Sequence, residues 1–170
     1  MSIKIETSLE ELMPIMKECL SSGKSFRFSP RGISMLPLLR EGKDSVLLSP
    51  LPEKLKKYDV PLYQRDDGKY VLHRILGKNE DGYICCGDNQ WQLEYGVTDD
   101  MIIGRLESWY RKEKKHTVYD KGYRRYVNFW CKSLKRRRRI LKLLWKKNNL
   151  KYLFKAGIRK LFGGRKGRNN

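Results

Sequence analysis

Histidine is nearly absent from this chain, with two in 170 residues, and the four cysteines, Cys19, Cys85, Cys86 and Cys131, include no pair at metal-ligand spacing. That scarcity excludes a zinc site, which needs closely spaced Cys or His pairs. Cys85 and Cys86 are adjacent and alternate faces on a strand, a poor disulfide framework, so reduced thiols in a reducing compartment are expected. Long apolar runs are missing as well. No stretch nears the roughly 20 apolar residues that cross a bilayer. Met1 to Glu11 mixes charges without an apolar h-region, so neither a membrane span nor a secretory signal is expected. Acid is missing from one region only. From residue 118 onward there are 19 Lys/Arg and the single acid Asp120, whereas residues 1–117 hold 19 basic and 18 acidic groups. Nearly all of the net +19 therefore sits in the last third, and a near-neutral body carries a cationic segment suited to an anionic partner, membrane or nucleic acid.

The length suffices for one domain with a real core plus an appendage. Thr7 or Ser8 followed by Glu10 or Glu11 is a capping-box pattern, and Leu9, Leu12, Ile15, Met16 and Leu20 recur at helical spacing. This predicts an amphipathic helix from about 8 to 21, kinked or delayed by Pro14, ended by Ser21-Ser22-Gly23 and laid over a sheet. Strands are expected over 25–28, 45–49 and 58–63, the last at an edge because of Pro61. Asp66-Asp67-Gly68 turns into a strand over 69–76, Glu80-Asp81-Gly82 into one over 83–86, and 101–110 is the last long strand. The whole reads as α+β: an N-terminal helix (1–23), a mainly-β core (24–117) built as a coiled sheet or partial barrel, and a basic helical tail (118–170). In that tail Tyr123, Tyr126, Val127, Trp130 and Leu134 share a helical face. Leu141, Leu144 and Trp145 continue a stripe, and Leu150, Leu153, Phe154, Ile158 and Leu161 form another beyond Asn148-Asn149, before a frayed end at Gly163–Asn170.

The chemistry centres on Arg31-Gly32-Ile33-Ser34-Met35-Leu36-Pro37-Leu38-Leu39, where Ser34 stands between a glycine two residues before it and a proline three residues after it, in an apolar setting. A serine hydroxyl needs a base, and His73, on the strand-like Tyr70–Leu76, is the credible one. His116, in Lys114-Lys115-His116-Thr117, reads as solvated. Cys86-Gly87-Asp88-Asn89 adds a carboxylate at a turn, so serine, histidine and aspartate occur in the roles acyl transfer requires.

These four ordered motifs, Gly-x-Ser-Met-x-Pro at 32–37, His73-Arg74, Gly87-Asp88-Asn89 and Ile102-Ile103-Gly104-Arg105, resemble the signal-peptidase and LexA-type superfamily of serine peptidases. Histidine rather than lysine at position 73 is similar to the archaeal and endoplasmic-reticulum branch. The resemblance implies a serine endopeptidase that uses neither cofactor nor metal. Ser34 would be its nucleophile, His73 its base, and Asp88, or Glu94 a few positions on, the carboxylate that orients the imidazole. Gly32 lacks the hydroxyl some relatives carry there, so backbone amides around Ser34 would hold the oxyanion. Met35 and Leu36 would line the wall, Arg74 would order the strand end, and Asp59 would brace a turn. The implied substrate is an extended leader or pro-peptide with small side chains near the cut. No membrane anchor of the family's kind is expected from these residues.

For the tail, each Lys or Arg near an anionic bilayer contributes on the order of 1 kcal/mol, so Lys135-Arg136-Arg137-Arg138-Arg139 alone supplies several. Trp130, Trp145, Tyr152 and Phe154 suit headgroup depth. Interleaved basic and aromatic residues also suit RNA, but the wide apolar stripes favour a membrane surface. A cytoplasmic protein, peripheral on the inner face of the membrane, is expected. The rival readings are a basic membrane- or nucleic-acid-binding protein with an inactive peptidase-like core, and a self-cleaving LexA-like regulator. Against the regulator stand the missing helix-turn-helix and the missing lysine at position 73.

Overall fold

The structure is a computed structural model and describes residues 9–147. The capping box at Thr7 and Ser8, the stripe from Leu150 to Leu161 with Tyr152 and Phe154, the Asn148-Asn149 break and the frayed end lie outside the described residues.

Helix α1 spans Leu9–Ser21, with Glu10 and Glu11 in the first turn, where the helix dipole favours carboxylates. Pro14 is accommodated inside the helix on its exposed side. The buried stripe is Met13, Met16 and Leu20, and Ile15, expected in it, is 59% exposed. The steps of four, three and four from Leu9 through Met13 and Met16 to Leu20 follow the helical period and leave Ile15 outside it. Gly23, at φ 77°, closes the helix: its amide donates to Leu20 O and the Lys24 amide to Cys19 O, the paired bonds of a Schellman cap.

Among the described residues nine strands follow: β1 (Phe26–Phe28), β2 (Asp44–Ser49), β3 (Pro61–Gln64), β4 (Tyr70–Leu72), β5 (Arg74–Asn79), β6 (Gly82–Cys86), β7 (Glu94–Val97), β8 (Ile102–Arg111) and β9 (Lys114–Thr117). Six of them form an antiparallel sheet ordered β1-β2-β8-β3-β4, with β9 also on β8, and β5-β6-β7 form a second antiparallel sheet. The fold is therefore α+β, with an N-terminal helix on antiparallel sheets. Ten-residue β8 is the spine, pairing β2 on one side and β3 on the other. At Gly104 an added Cβ would stand 2.9 Å from Leu20 Cδ1 and 3.2 Å from Ser49 O, which is how α1 reaches the sheet.

Three departures from the sequence reading position the site. The run 69–76, expected as one strand, is two: β4 pairs β3 in the first sheet, β5 pairs β6 in the second, and His73 is the crossing residue. Leu72, His73, Arg74 and Ile75 are all buried, and such a run cannot lie on one face of a pleated strand. Pro61 is not at an edge; β3 lies between β8 and β4, and the proline is tolerated as its first residue. Lys114–Thr117, expected as a charged loop, is strand β9, so His116 is half-buried and stacked on Trp109 with ring centroids 5.3 Å apart.

The cationic segment is built onto the body. Helix α2 (Lys121–Tyr126) runs into a π-helical turn at Val127–Cys131, and α3 covers 134–147. Val127, Trp130, Cys131 and Leu141 form an apolar cluster of their own, and Tyr123 and Tyr126 join it to the main core. Among the described residues no helix is long and apolar enough to cross a membrane.

Candidate functional site

Ser34 lies in the loop between β1 and β2. Met35, Leu38 and Leu39 are buried in the main core and pin that loop from below, while Ile33 points outward at 62% exposure. Gly32, at φ 87°, takes a backbone conformation that suits glycine, and its amide donates to Glu41 Oε1 at 2.8 Å. The Leu36–Pro37 peptide is cis. Ser34 itself is half-buried. With Met35, Leu39, Tyr70 and Leu72 it lines a cleft of about 100 Å³.

Three of the motifs meet here. The Asn89 amide donates to Ser34 O at 2.7 Å, and a Cβ on Gly87 would stand only 2.7 Å from that same oxygen. The Gly87-Asp88-Asn89 turn therefore rests directly on the serine loop, and residue 87 must lack a side chain. Asp88, fully buried, accepts from Arg74 at both oxygens, Nε to Oδ1 at 2.8 Å and Nη2 to Oδ2 at 2.6 Å. Arg74 is the next residue after His73. Contacts thus run from Ser34 through Asn89 and Asp88 to Arg74, the imidazole's neighbour in the chain. Burial alone would lower the Arg74 pKa, but Asp88 outweighs it, so the guanidinium stays charged.

The two carboxylates left open by the sequence are separated by geometry. Asp88 faces Arg74, with Arg137 Nη1 also 3.6 Å from Oδ1, whereas Glu94 Oε1 lies 2.8 Å from His73 Nδ1. The pair is within ion-pair range, and Nδ1 makes no full hydrogen bond there. Glu94 also accepts from Tyr63 Oη at 2.6 Å and Arg65 Nε at 2.9 Å, and Arg65 Nη2 closes on Oε1. Burial pushes the Glu94 carboxyl up, yet the His73 imidazole beside it and the hydrogen bonds from Arg65 and Tyr63 together hold it down at about 2. Glu94 is ionised at neutral pH, and it faces an imidazole that is only 1% exposed.

Other expected roles are located as follows. Asp59 accepts from the Lys56 amide at 2.9 Å and lies 3.6 Å from Arg105, bracing its turn. Among the described residues the Ser34 hydroxyl and His73 share no hydrogen bond, and no His, Cys, Asp and Glu cluster could hold a metal. The cysteines are free thiols, and burial raises Cys85 and Cys131 to about 12 and Cys86 to about 11, so these three stay protonated and unreactive. A wider cleft, about 550 Å³ between α1 and the β3–β4 hairpin, includes Arg65 but neither Ser34 nor His73.

Sequence reasoning missed Tyr63 and Arg65 on Glu94, and Tyr126, Trp130 and Arg137 on the 86–88 turn. Each acts across 29 or more positions, and nothing local marks the pairing. Arg137, expected with the rest of 135–139 to face an anionic surface, is instead 1% exposed, with Nη2 3.1 Å from Cys86 Sγ. A comparison of the sequence with protein-family models and with curated proteins finds no match.

Proposed function

We propose that this protein is a serine endopeptidase similar to signal peptidases. Ser34 Oγ attacks a peptide carbonyl while His73 accepts its proton, giving a tetrahedral adduct whose oxyanion is met by backbone amides of the serine loop. His73 returns the proton to the departing amine, leaving an acyl-Ser34 ester, and then takes a proton from the water that hydrolyses it. Glu94 holds the ring and offsets the charge it acquires. The observation that carries this reading is the chain of contacts from Ser34 O through Asn89 and Asp88 to Arg74, the residue beside His73. A catalytic hydrogen bond absent from the free protein is no obstacle, since such bonds tighten when substrate arrives. The small cleft beside Ser34 admits a small side chain, in keeping with the leader or pro-peptide substrate. Purified protein should cleave an extended leader-type peptide and lose that activity on Ser34→Ala. Equal cleavage by the variant would remove Ser34 from the reaction and leave the rival of a binding protein with an inactive core.

A cytoplasmic site on the inner membrane face is the second part of the reading. It is supported by Leu143, Leu144 and Trp145, which are exposed beside the exposed Lys142, Lys146 and Lys147 on α3. Apolar side chains among cations match an anionic bilayer surface better than they match RNA, which would leave the leucines in water. The enzyme would then work on peptides at that surface.

A further inference from the structure

The cationic segment is joined to the serine site, and the joint has no slack. Two side chains from residues 121–131 grip Asp88 at both ends: Tyr126 Oη donates to carboxylate Oδ2 at 2.8 Å, and Trp130 Nε1 donates to the Asp88 carbonyl at 2.8 Å. Side chain and main chain of Asp88 are thus both tied to this segment. On one side of Asp88 the Asn89 amide holds Ser34 O at 2.7 Å; on the other, Gly87 lies so close to that oxygen that no Cβ would fit. Arg74, beside His73, is gripped by the same segment, donating to Tyr123 Oη at 2.6 Å. A shift of the segment is therefore passed to the serine loop through one turn.

We infer that Tyr126 and Trp130 are positioning residues for Ser34, setting the serine loop through the Gly87-Asp88-Asn89 turn. The inference rests on the reading of Ser34 as the nucleophile. Neither side chain needs to touch substrate. Their effect is on where the hydroxyl stands, and a displacement of about 1 Å at a reacting group costs on the order of a hundred-fold in rate.

The test uses the full-length chain with Tyr126→Phe, which removes one hydroxyl, Trp130→Phe, and Tyr119→Phe as a control, since Tyr119 is 67% exposed. Two readouts are taken: kcat and KM on a peptide that the unaltered protein cleaves, and residue-resolved amide exchange. The first two variants should lower kcat about ten- to a hundred-fold with KM within about two-fold. Their Asn89 amide should exchange about ten-fold faster or more, while the Leu106 amide, bonded to Val60 O, stays protected. Tyr119→Phe should match the unaltered protein in both. An Asn89 amide as protected as before would overturn the inference, as would protection lost equally at Leu106, which would mean general loosening. The exchange readout decides the positioning role even if no peptide is cleaved, whereas loss of the nucleophile reading is seen separately in Ser34→Ala.

Discussion

Asp88 and Glu94 are six positions apart and carry the same charge, yet their surroundings assign them opposite consequences. Asp88 faces the buried guanidinium of Arg74 and lies near that of Arg137, so Asp88→Asn leaves cations uncompensated in the interior. Urea unfolding should show a loss of about 3–5 kcal/mol. Glu94→Gln keeps the shape and removes the charge facing His73; its expected signature is hydrolysis slowed on the order of a hundred-fold or more, with the fold retained. The reverse assignment would show as a folded, slow Asp88→Asn and a fully active Glu94→Gln. Acid titration gives an independent check. In the folded protein Glu94 lies at about 2 against a usual 4.5, and Asp44, whose burial is outweighed by hydrogen bonds from Arg40 and Arg111, lies at about 2 against 3.8. Both folded values lie below the unfolded ones, so between about pH 4.5 and 2 the unfolded chain binds more protons. The stability they contribute is complete above that window and is lost as pH falls through it. Urea midpoints measured from about pH 6 down to pH 2 should drop within the window, and Glu94→Gln should flatten the drop.

The hairpin between β8 and β9 shows what a strand pattern conceals. Its two-residue turn, Lys112-Glu113, has φ of 48° and 56°, a primed turn that favours Asn-Gly. Replacing the pair by Asn-Gly should raise Tm by about 2–4 °C, for about 1 kcal/mol in a chain of this size, measured calorimetrically. The same turn explains why β9 was illegible: without glycine, asparagine or aspartate at the bend, Lys114–Thr117 looks like solvated charge. Elements with ordinary punctuation were readable. The helix over 9–21, strands β2, β6 and β8, and the Asp66-Asp67-Gly68 and Glu80-Asp81-Gly82 turns follow from apolar period and turn residues. The crossing at His73 was not readable, because the switch between sheets leaves no glycine or proline behind. Of the candidate site, the serine loop, the histidine strand and the Gly-Asp-Asn turn were legible as motifs. Which carboxylate faces the imidazole was not, since Tyr63 and Arg65 belong to a distant strand and its turn.

Across the whole molecule, a net +19 of which nearly all lies from residue 118 onward would make any association with an anionic surface strongly dependent on salt. The protein should co-sediment with phosphatidylserine vesicles at low ionic strength and leave them as salt rises, and Leu143→Ser with Trp145→Ser should weaken binding at every salt concentration. Binding to RNA but not to vesicles would sink the surface-anchor reading. Only part of the basic run is free for this purpose, because Arg137 is committed to the interior. A different consequence follows from the backbone that leaves one sheet and enters the other at His73. Adding or deleting one residue there would invert the pleat of everything downstream, exchanging inward for outward side chains along β5. Length variation should therefore be tolerated at the Asp66–Gly68 bend and forbidden at the crossing, so that the two halves of the fold keep a fixed phase.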